Sequence, residues 1–564
     1  MRPSVMPSSI MNRRSLLHTL TTAGLGAISS PLSGQEGGRG QRPVFFDPFT
    51  FGARGDGRAL DSPAINRAID ACTAAGGGIV YIAPGISRSG TVELKSNVTL
   101  YIEAGATLLG STEMNDYTAM KGPSLKGDAN QFHLIYARDA ENVTLAGPGR
   151  IDGQGPSFWL PSGRTPLPES EQWAEVTAHA YKKNPNGRPS PMLEFVNCRW
   201  LRIEGLRIEN APGWTMRPIN CDNVFLHGLN IKNPNYGSNT DGMDLCGCQN
   251  VFVSDCAIDT GDDAICFKSE NPYGPAPRLT SNVTVTNCSL TTCCNGFKIG
   301  TATEGGFENI VFSNSVIYNA PGPYKDRVIA GIALEIVDGG WIDGVTITNI
   351  RMQRTRTPIF LRLGNRADKH HYAQNGMRNV SITNIEASEA LLASSISGIP
   401  GRYVENVTIA GVRIENVLEP RAEWVGLNVP EKADKYPEAR MFGMLPASGM
   451  YLRHARGVQL RDVEFRNPAK EMRPTLILDD VHDAGITNLR TSAIRGDEPI
   501  IDARASSGVW IRDTKAPADT PTFLRASGEG INDVVVSGCD LRKVKQVLHS
   551  ASNSEAVILR NLIV

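Results

Sequence analysis

Aligned on Val224, Val251, Val283, Ile310, Val345, Val380 and Val407, the chain repeats one pattern of apolar and polar positions. The second residue after each anchor is always apolar: Leu226, Val253, Val285, Phe312, Ile347, Ile382 and Ile409. The fourth is Gly, Asp or Asn (Gly228, Asp255, Asn287, Asn314, Asn349, Asn384, Gly411), types that accept a left-handed bend or close an Asx turn. The fifth is mostly apolar, and the seventh is apolar again: Ile231, Ile258, Leu290, Ile317, Met352, Ala387 and Ile414. The pattern predicts two short period-2 strands joined by one bend. Anchors recur at intervals of roughly 23 to 35 residues, too short and too strand-rich for a βαβ unit. The spacing fits one coil of a right-handed parallel β-helix, whose coils stack strand on strand at about 4.8 Å. Val98, Val143 and Leu201 before the block, and Val458, Val509, Val534 and Val557 after it, extend the repeat over nearly the whole chain. A β-sandwich is the alternative, but the hairpin signals it requires, such as Asn-Gly between paired runs, are few.

The expected fold is therefore all-β: a single-stranded right-handed parallel β-helix with an N-terminal capping helix. Asp61-Ser62-Pro63 opens that helix, with Asp or Ser as N-cap and Pro in the first turn, and Gly76-Gly77-Gly78 ends it. The open end of a solenoid has to be covered, and Gly78-Ile79-Val80-Tyr81-Ile82 reads as the first strand.

A chain of 564 residues has length for several domains, yet a solenoid grows by adding coils and needs no second core. The organisation expected is an export signal and leader over 1–40, a β-helix catalytic domain over 41–470, and further coils continuous with it over 471–564. Asn12-Arg13-Arg14-Ser15-Leu16-Leu17 precedes an uncharged stretch from Leu20 to Ile28, the order of a bacterial export signal of twin-arginine type. The apolar run is too short for a membrane span, so the product is expected in the periplasm or medium. The formal net charge is −1 with acids and bases interspersed, which leaves no basic stripe for nucleic acid. A monomer acting on a neutral or locally recognised ligand is expected. The eleven cysteines are an odd number, and Cys256, Cys288 and Cys539 occupy the fifth template position as small core hydrophobes. Cys246, Cys248, Cys266, Cys293 and Cys294 match none of the strong zinc spacings, so neither metal nor cofactor is expected.

Candidate chemistry lies in two turns, Asn239-Thr240-Asp241-Gly242 and Thr260-Gly261-Asp262-Asp263. The register sets Asp241-Gly242-Met243 over Asp263-Ala264-Ile265 over Asn295-Gly296-Phe297, making Asp241 and Asp263 column neighbours with Asp262 beside them. Crowded carboxylates raise at least one pKa. An acid and a base then coexist, as glycoside hydrolysis requires; in the inverting reaction the two carboxyls stand about 6.5–9.5 Å apart. The plainer reading is that such residues only cap turns, as Asp255 and Asp259 are expected to do.

Five motifs occur in order: Phe51-Gly52-Ala53-Arg54-Gly55-Asp56-Gly57, Gly147-Pro148-Gly149-Arg150-Ile151-Asp152-Gly153-Gln154-Gly155, Ala211-Pro212-Gly213-Trp214-Thr215, Asn239-Thr240-Asp241-Gly242 and Gly261-Asp262-Asp263. With them the chain resembles the polygalacturonase family, glycoside hydrolase family 28, as a divergent bacterial member. The resemblance implies a right-handed β-helix that hydrolyses pectic polysaccharide with inversion. By position, Asp262 resembles the general acid, and Asp241 and Asp263 resemble the residues that activate water. Two departures stand out. Asn295 in Cys294-Asn295-Gly296 replaces the family's histidine, and Ala333-Leu334-Glu335 replaces its Arg-Ile-Lys.

Glu335 argues against an unmodified galacturonate where that Arg and Lys grip its carboxylate, because like charges repel. Lys298, one coil from the vacant Arg position, and Lys268, two coils from the vacant Lys position, offer a shifted grip. Substrate-binding candidates are thus Asn239, Lys268, Asn295, Lys298 and Glu335. A hydrolase of rhamnogalacturonan or a neutral or mixed glycan is the first rival. A polysaccharide lyase and a non-catalytic carbohydrate-binding solenoid are the others. Insertions near 154–190, 363–376 and 418–450 carry Trp159, Trp173, Tyr181, His370, His371, Trp424 and Tyr436, aromatics suited either to sugar faces or to loop packing.

Overall fold

The computed structural model describes residues 45–122, 131–163, 181–319, 328–366, 376–467, 471–550 and 557–560. The export leader, Trp173, His370 and His371 lie outside the described residues.

The anchors Val224, Val251, Val283, Ile310, Val345, Val380 and Val407 pair in that order along one column of parallel strands. All are buried. Alternate residues point inward because side chains on a strand alternate faces, and the inward set forms one continuous apolar core. A 40-stranded system of parallel pairs results, a right-handed parallel β-helix. The fourth template position bends as the residue types imply: Gly228, Asp255, Asn287, Asn314, Asn349, Asn384 and Gly411 all have φ between 51° and 62°.

A second bend, not singled out in the sequence, falls just before the anchor. Asn223, Asn250, Asn282, Asn309, Asn379 and Asn406 have φ of 51–58° there. Their amides bond from coil to coil, Asn250 to Asn223 at 3.4 Å, Asn282 to Asn250 at 3.1 Å and Asn309 to Asn282 at 2.9 Å. One coil also escaped the anchor search: Ala484 pairs with Val509, between the coils of Val458 and Val509. Alanine fills the anchor place without the β-branched signature, so periodicity alone passes over it.

At the N-terminal end, helix Ser62–Ala74 buries Ile65, Ala68, Ile69 and Cys72 against the first coils. Asp61 stands at its N-cap but makes no side-chain cap bond. Its carboxylate instead accepts from the backbone N–H groups of Arg54 (2.8 Å) and Gly55 (2.9 Å), tying the Phe-Gly-Ala-Arg-Gly loop to the helix start. Two strands precede the expected first one: Phe45–Phe46 pairs with Ile79 and Val80, and Asp56–Leu60 pairs with Gly85–Ser89. Among the described residues no helix is long and apolar enough to cross a membrane.

Of the insertion aromatics, Trp159 is buried with its indole N–H on the Pro212 carbonyl at 2.8 Å. Trp424 is buried among Leu392 and Met444. Tyr436 alone of these three stands exposed.

Candidate active site

The site lies on the turns that lead into strands Met243–Cys246, Ile265–Lys268 and Asn295–Ile299. Met243 pairs with Ile265 and Ile265 with Phe297, which stacks Asp241, Asp263 and Asn295 on successive coils. Backbone bonds continue that register, Gly242 N to the Asp263 carbonyl and Ala264 N to the Asn295 carbonyl, both 2.9 Å. Thr260 and Thr292 hydroxyls donate to the Asp262 carbonyl at 2.5 and 2.6 Å. They fix the turn that presents the half-buried Asp262 beside the buried Asp263.

The carboxylates have different surroundings. Asp263 receives the Asn295 amide at 2.7 Å and backbone N–H at 3.1 Å on one oxygen, and Lys298 Nζ at 3.0 Å on the other. Burial pushes its pKa up, but Lys298 and then Lys268 outweigh burial and hold it below the ordinary value. Asp263 is the ionised member. Asp241 is buried with one oxygen lacking a hydrogen-bond partner. Burial, then the charges of Asp262 and Asp244, push its pKa well up. Asp262 accepts from Asn239 Nδ2 at 3.4 Å and from the Asp263 backbone N–H at 2.9 Å.

The five expected substrate contacts divide. Asn239 is exposed, whereas Lys268, Asn295, Lys298 and Glu335 are buried against protein groups. Lys268 pairs with Asp244 and lies 4.5 Å from the centroid of the Trp214 ring. Lys298 aligns with Ala333, as the column alignment implies, and it stands between Asp263 and Glu335, 3.7 Å from the latter. At that distance Lys298 is an ionic neighbour and not a hydrogen-bond donor, and both oxygens of Glu335 lack hydrogen bonds. Burial raises Glu335 to about 8 despite Lys298. A carboxyl that is neutral below that pH does not repel a uronate as a carboxylate does.

Two participants carried no sequence signal of their own. Arg188, buried, donates to the carbonyls of Pro212 (2.8 Å) and Ser238 (2.7 Å) and so pins the turn before Asn239. Asp244, fully buried, is raised to about 6 by burial, with Lys268 opposing. Both are single polar residues in segments whose neighbours are set by other coils, and only folding brings those neighbours together.

Nearest ligand atoms of Asp262, Asp263 and Cys294 lie within 4.8 Å of one another. The set suits a metal poorly: Lys298 already neutralises Asp263, and burial, then Asp263, hold the Cys294 thiol protonated. The nearest oxygens of Asp262 and Asp263 are thus closer than the about 6.5–9.5 Å usual between inverting carboxyls.

The profile of Glycosyl hydrolases family 28 matches residues 81–433. A probable polygalacturonase from Vitis vinifera is 24% identical over 383 residues, 64% of this chain and 73% of that one. An exo-poly-alpha-D-galacturonosidase from Dickeya chrysanthemi is 26% identical over 341 residues, 54% of each chain. Among solved structures, a hyperthermoactive exopolygalacturonase from Thermotoga maritima superposes with a TM-score of 0.54 at 25% identity, over 67% of this chain and 88% of that one.

Proposed function

The chain belongs to glycosyl hydrolases family 28 and is a glycoside hydrolase acting on O-glycosyl bonds; on that premise we propose that it cleaves pectic polysaccharide with inversion, using Asp241, Asp262 and Asp263. The observation that carries the assignment is the contrast among three adjacent carboxyls. Asp263 is held ionised by Lys298 and Asn295, while burial, then the charge of Asp262, push the pKa of Asp241 well up.

Asp262 is the half-buried carboxyl of the three, and in this reading it is the acid that protonates the leaving oxygen. Asp263, with both oxygens already bonded to cationic or amide donors, is a stabilised anion suited to orient a water molecule and poorly suited to attack carbon itself. Asn239 meets the substrate directly. Lys268, Asn295 and Lys298 act through the acids they hold, and a neutral Glu335 lets Lys298 direct its charge to Asp263.

Asp262→Asn is expected to lower kcat by about 10²–10⁴-fold, the range of general acid catalysis, with an unchanged melting temperature; retained turnover removes the acid assignment. The reaction is tested on polygalacturonan, rhamnogalacturonan and neutral glycans by following reducing ends and ultraviolet absorbance together. Unsaturated products in place of hydrolysis would make it a lyase, and proton NMR showing retained anomeric configuration would refute inversion. Best turnover on rhamnogalacturonan would favour the reading that Glu335 marks a changed subsite.

We also place the protein outside the cytoplasm, exported through the twin-arginine route. Arg13-Arg14 ahead of the apolar run supports this, as does the burial of nine of the eleven cysteines, which folding before export would shield from an oxidising compartment.

A further inference from the structure

The outward column that carries the site closes along the solenoid. Cys266, Lys298, Ala333 and Phe360 follow one another in register, and the column continues through Ser395 to Tyr451 and Ile477. From Ala333 to Ile477 no residue of it is more than 1% exposed, and since Asp244, Cys266 and Lys298 at the site are buried as well, the layer lying on the column is what marks the wall. Val429, Phe442 and Leu445, from the 418–450 insertion, lie on the column in one apolar cluster.

The backbone of the insertion is held as firmly as its side chains. Arg362 Nη2 donates to the carbonyls of Glu431 at 2.7 Å and Lys432 at 3.1 Å. Arg453 Nη1 donates to the Val429 carbonyl at 2.7 Å, and Asn365 N to the Ala433 carbonyl at 2.7 Å. Buried arginine donors that end on loop carbonyls satisfy both partners only while the loop stays down, so this is a fixed wall. At its inner edge Tyr436, 56% exposed, has its ring centroid 6.0 Å from Lys298 Nζ and 5.6 Å from Arg366 Cζ. Arg366 is itself fixed on Asp338 by bonds of 3.0 and 2.7 Å.

The opposite side is also covered, by Tyr273. Glu194 and Arg217, in the same column before Asp244, pair at 2.8 Å and are buried, and Tyr273 donates to Glu194 at 2.7 Å.

Resting on the hydrolase reading above, we propose that the site takes the end of a glycan chain and not its interior: an exo-acting pocket whose wall is the 418–450 insertion and whose bound end packs against Tyr436. A polymer lying through a groove needs the outward column free on both sides of the aspartates. Here the coil of Asp263 is two steps from the sealed coil of Ala333, roughly 10 Å at the strand spacing, room for about one or two sugar rings. Two cations hold the Tyr436 ring by cation–π attraction, and its remaining surface is available to the apolar face of a sugar.

The product profile on polygalacturonan and rhamnogalacturonan tests this, with reducing ends, chromatography and viscosity followed on the same samples. Mono- or disaccharide from the earliest times, with viscosity falling late, is expected. Early loss of viscosity with a ladder of long oligomers overturns the end pocket and leaves the hydrolase reading standing. No new reducing ends on any polymer or oligomer overturns the hydrolase reading instead. Binding then decides the pocket on its own: calorimetry of Asp262→Asn with polygalacturonan should give one protein per chain end, and many proteins per chain would overturn it. Tyr436→Ala is expected to raise KM for trigalacturonate by up to about tenfold, the upper range of one aromatic contact; an unchanged KM takes Tyr436 out of the pocket.

Discussion

Glu335 shows at the scale of one residue how burial sets chemistry in this fold. Its carboxyl is fully buried, unbonded, and raised from an ordinary 4.5 to about 8. Between those two values the unfolded chain has released a proton that the native protein still binds, so stability falls as pH rises through that window. The slope for one such group is about 1.4 kcal/mol per pH unit. Thermal unfolding of the protein and of Glu335→Gln between pH 5 and pH 8 measures it, and the variant should lose that part of the decline. Parallel curves would mean that Glu335 is ionised in the native state. Asp263 has the opposite sign: its lowered pKa stabilises the fold above the unfolded value and is lost only as strong acid protonates it. The site therefore contains both an acid that resists ionising and an acid that resists protonation, each an ionic neighbour of Lys298. That contrast was only half legible in the sequence. Crowding of three aspartates was visible, but which one stays charged depends on Lys298 and Asn295, brought beside Asp263 by the next coil.

At the scale of the element, the coil depends on two left-handed bends. The bend at the fourth template position was legible because Gly, Asp and Asn recur there, and the structure adds coil-to-coil amide bonds such as Asn349 to Asn314 at 3.0 Å and Asn384 to Asn349 at 3.2 Å. Asn349 has φ of 58°. Asn349→Val places a β-branched side chain in that region and removes the amide ladder at once. A loss of about 1–3 kcal/mol is expected from the bend alone, read as a lower midpoint in urea. No change in midpoint would show that the ladder carries no stability. The insertions obey no such rule. Their sequences announce length and aromatic content, but whether an aromatic packs or faces the substrate depends on what the loop lands on. Trp159 and Trp424 found apolar or carbonyl partners and were buried, and Tyr436 found two cations and stayed half in solvent.

For the whole molecule, stacking makes the cysteines inert. Cys198, Cys221 and Cys248 lie in successive coils, each thiol on a backbone carbonyl, for example Cys221 Sγ to the Phe195 carbonyl at 3.3 Å and Cys248 Sγ to the Pro218 carbonyl at 3.4 Å. Thiol titration of the native protein should reach at most the two half-buried cysteines, Cys293 and Cys294, and denaturant should release all eleven; rapid reaction of more than two in the native state would contradict the packing. The sequence by itself determined the solenoid, its inward columns, the bend at the fourth template position and the meeting of the three aspartates, because each follows from a local pattern repeated until the register has no freedom. Only the tertiary structure decided which carboxyl is ionised, that Lys268 and Lys298 serve neighbouring acids, and where the cleft ends. Those outcomes depend on desolvation and on contacts between segments far apart in the chain, neither of which is written in any local pattern.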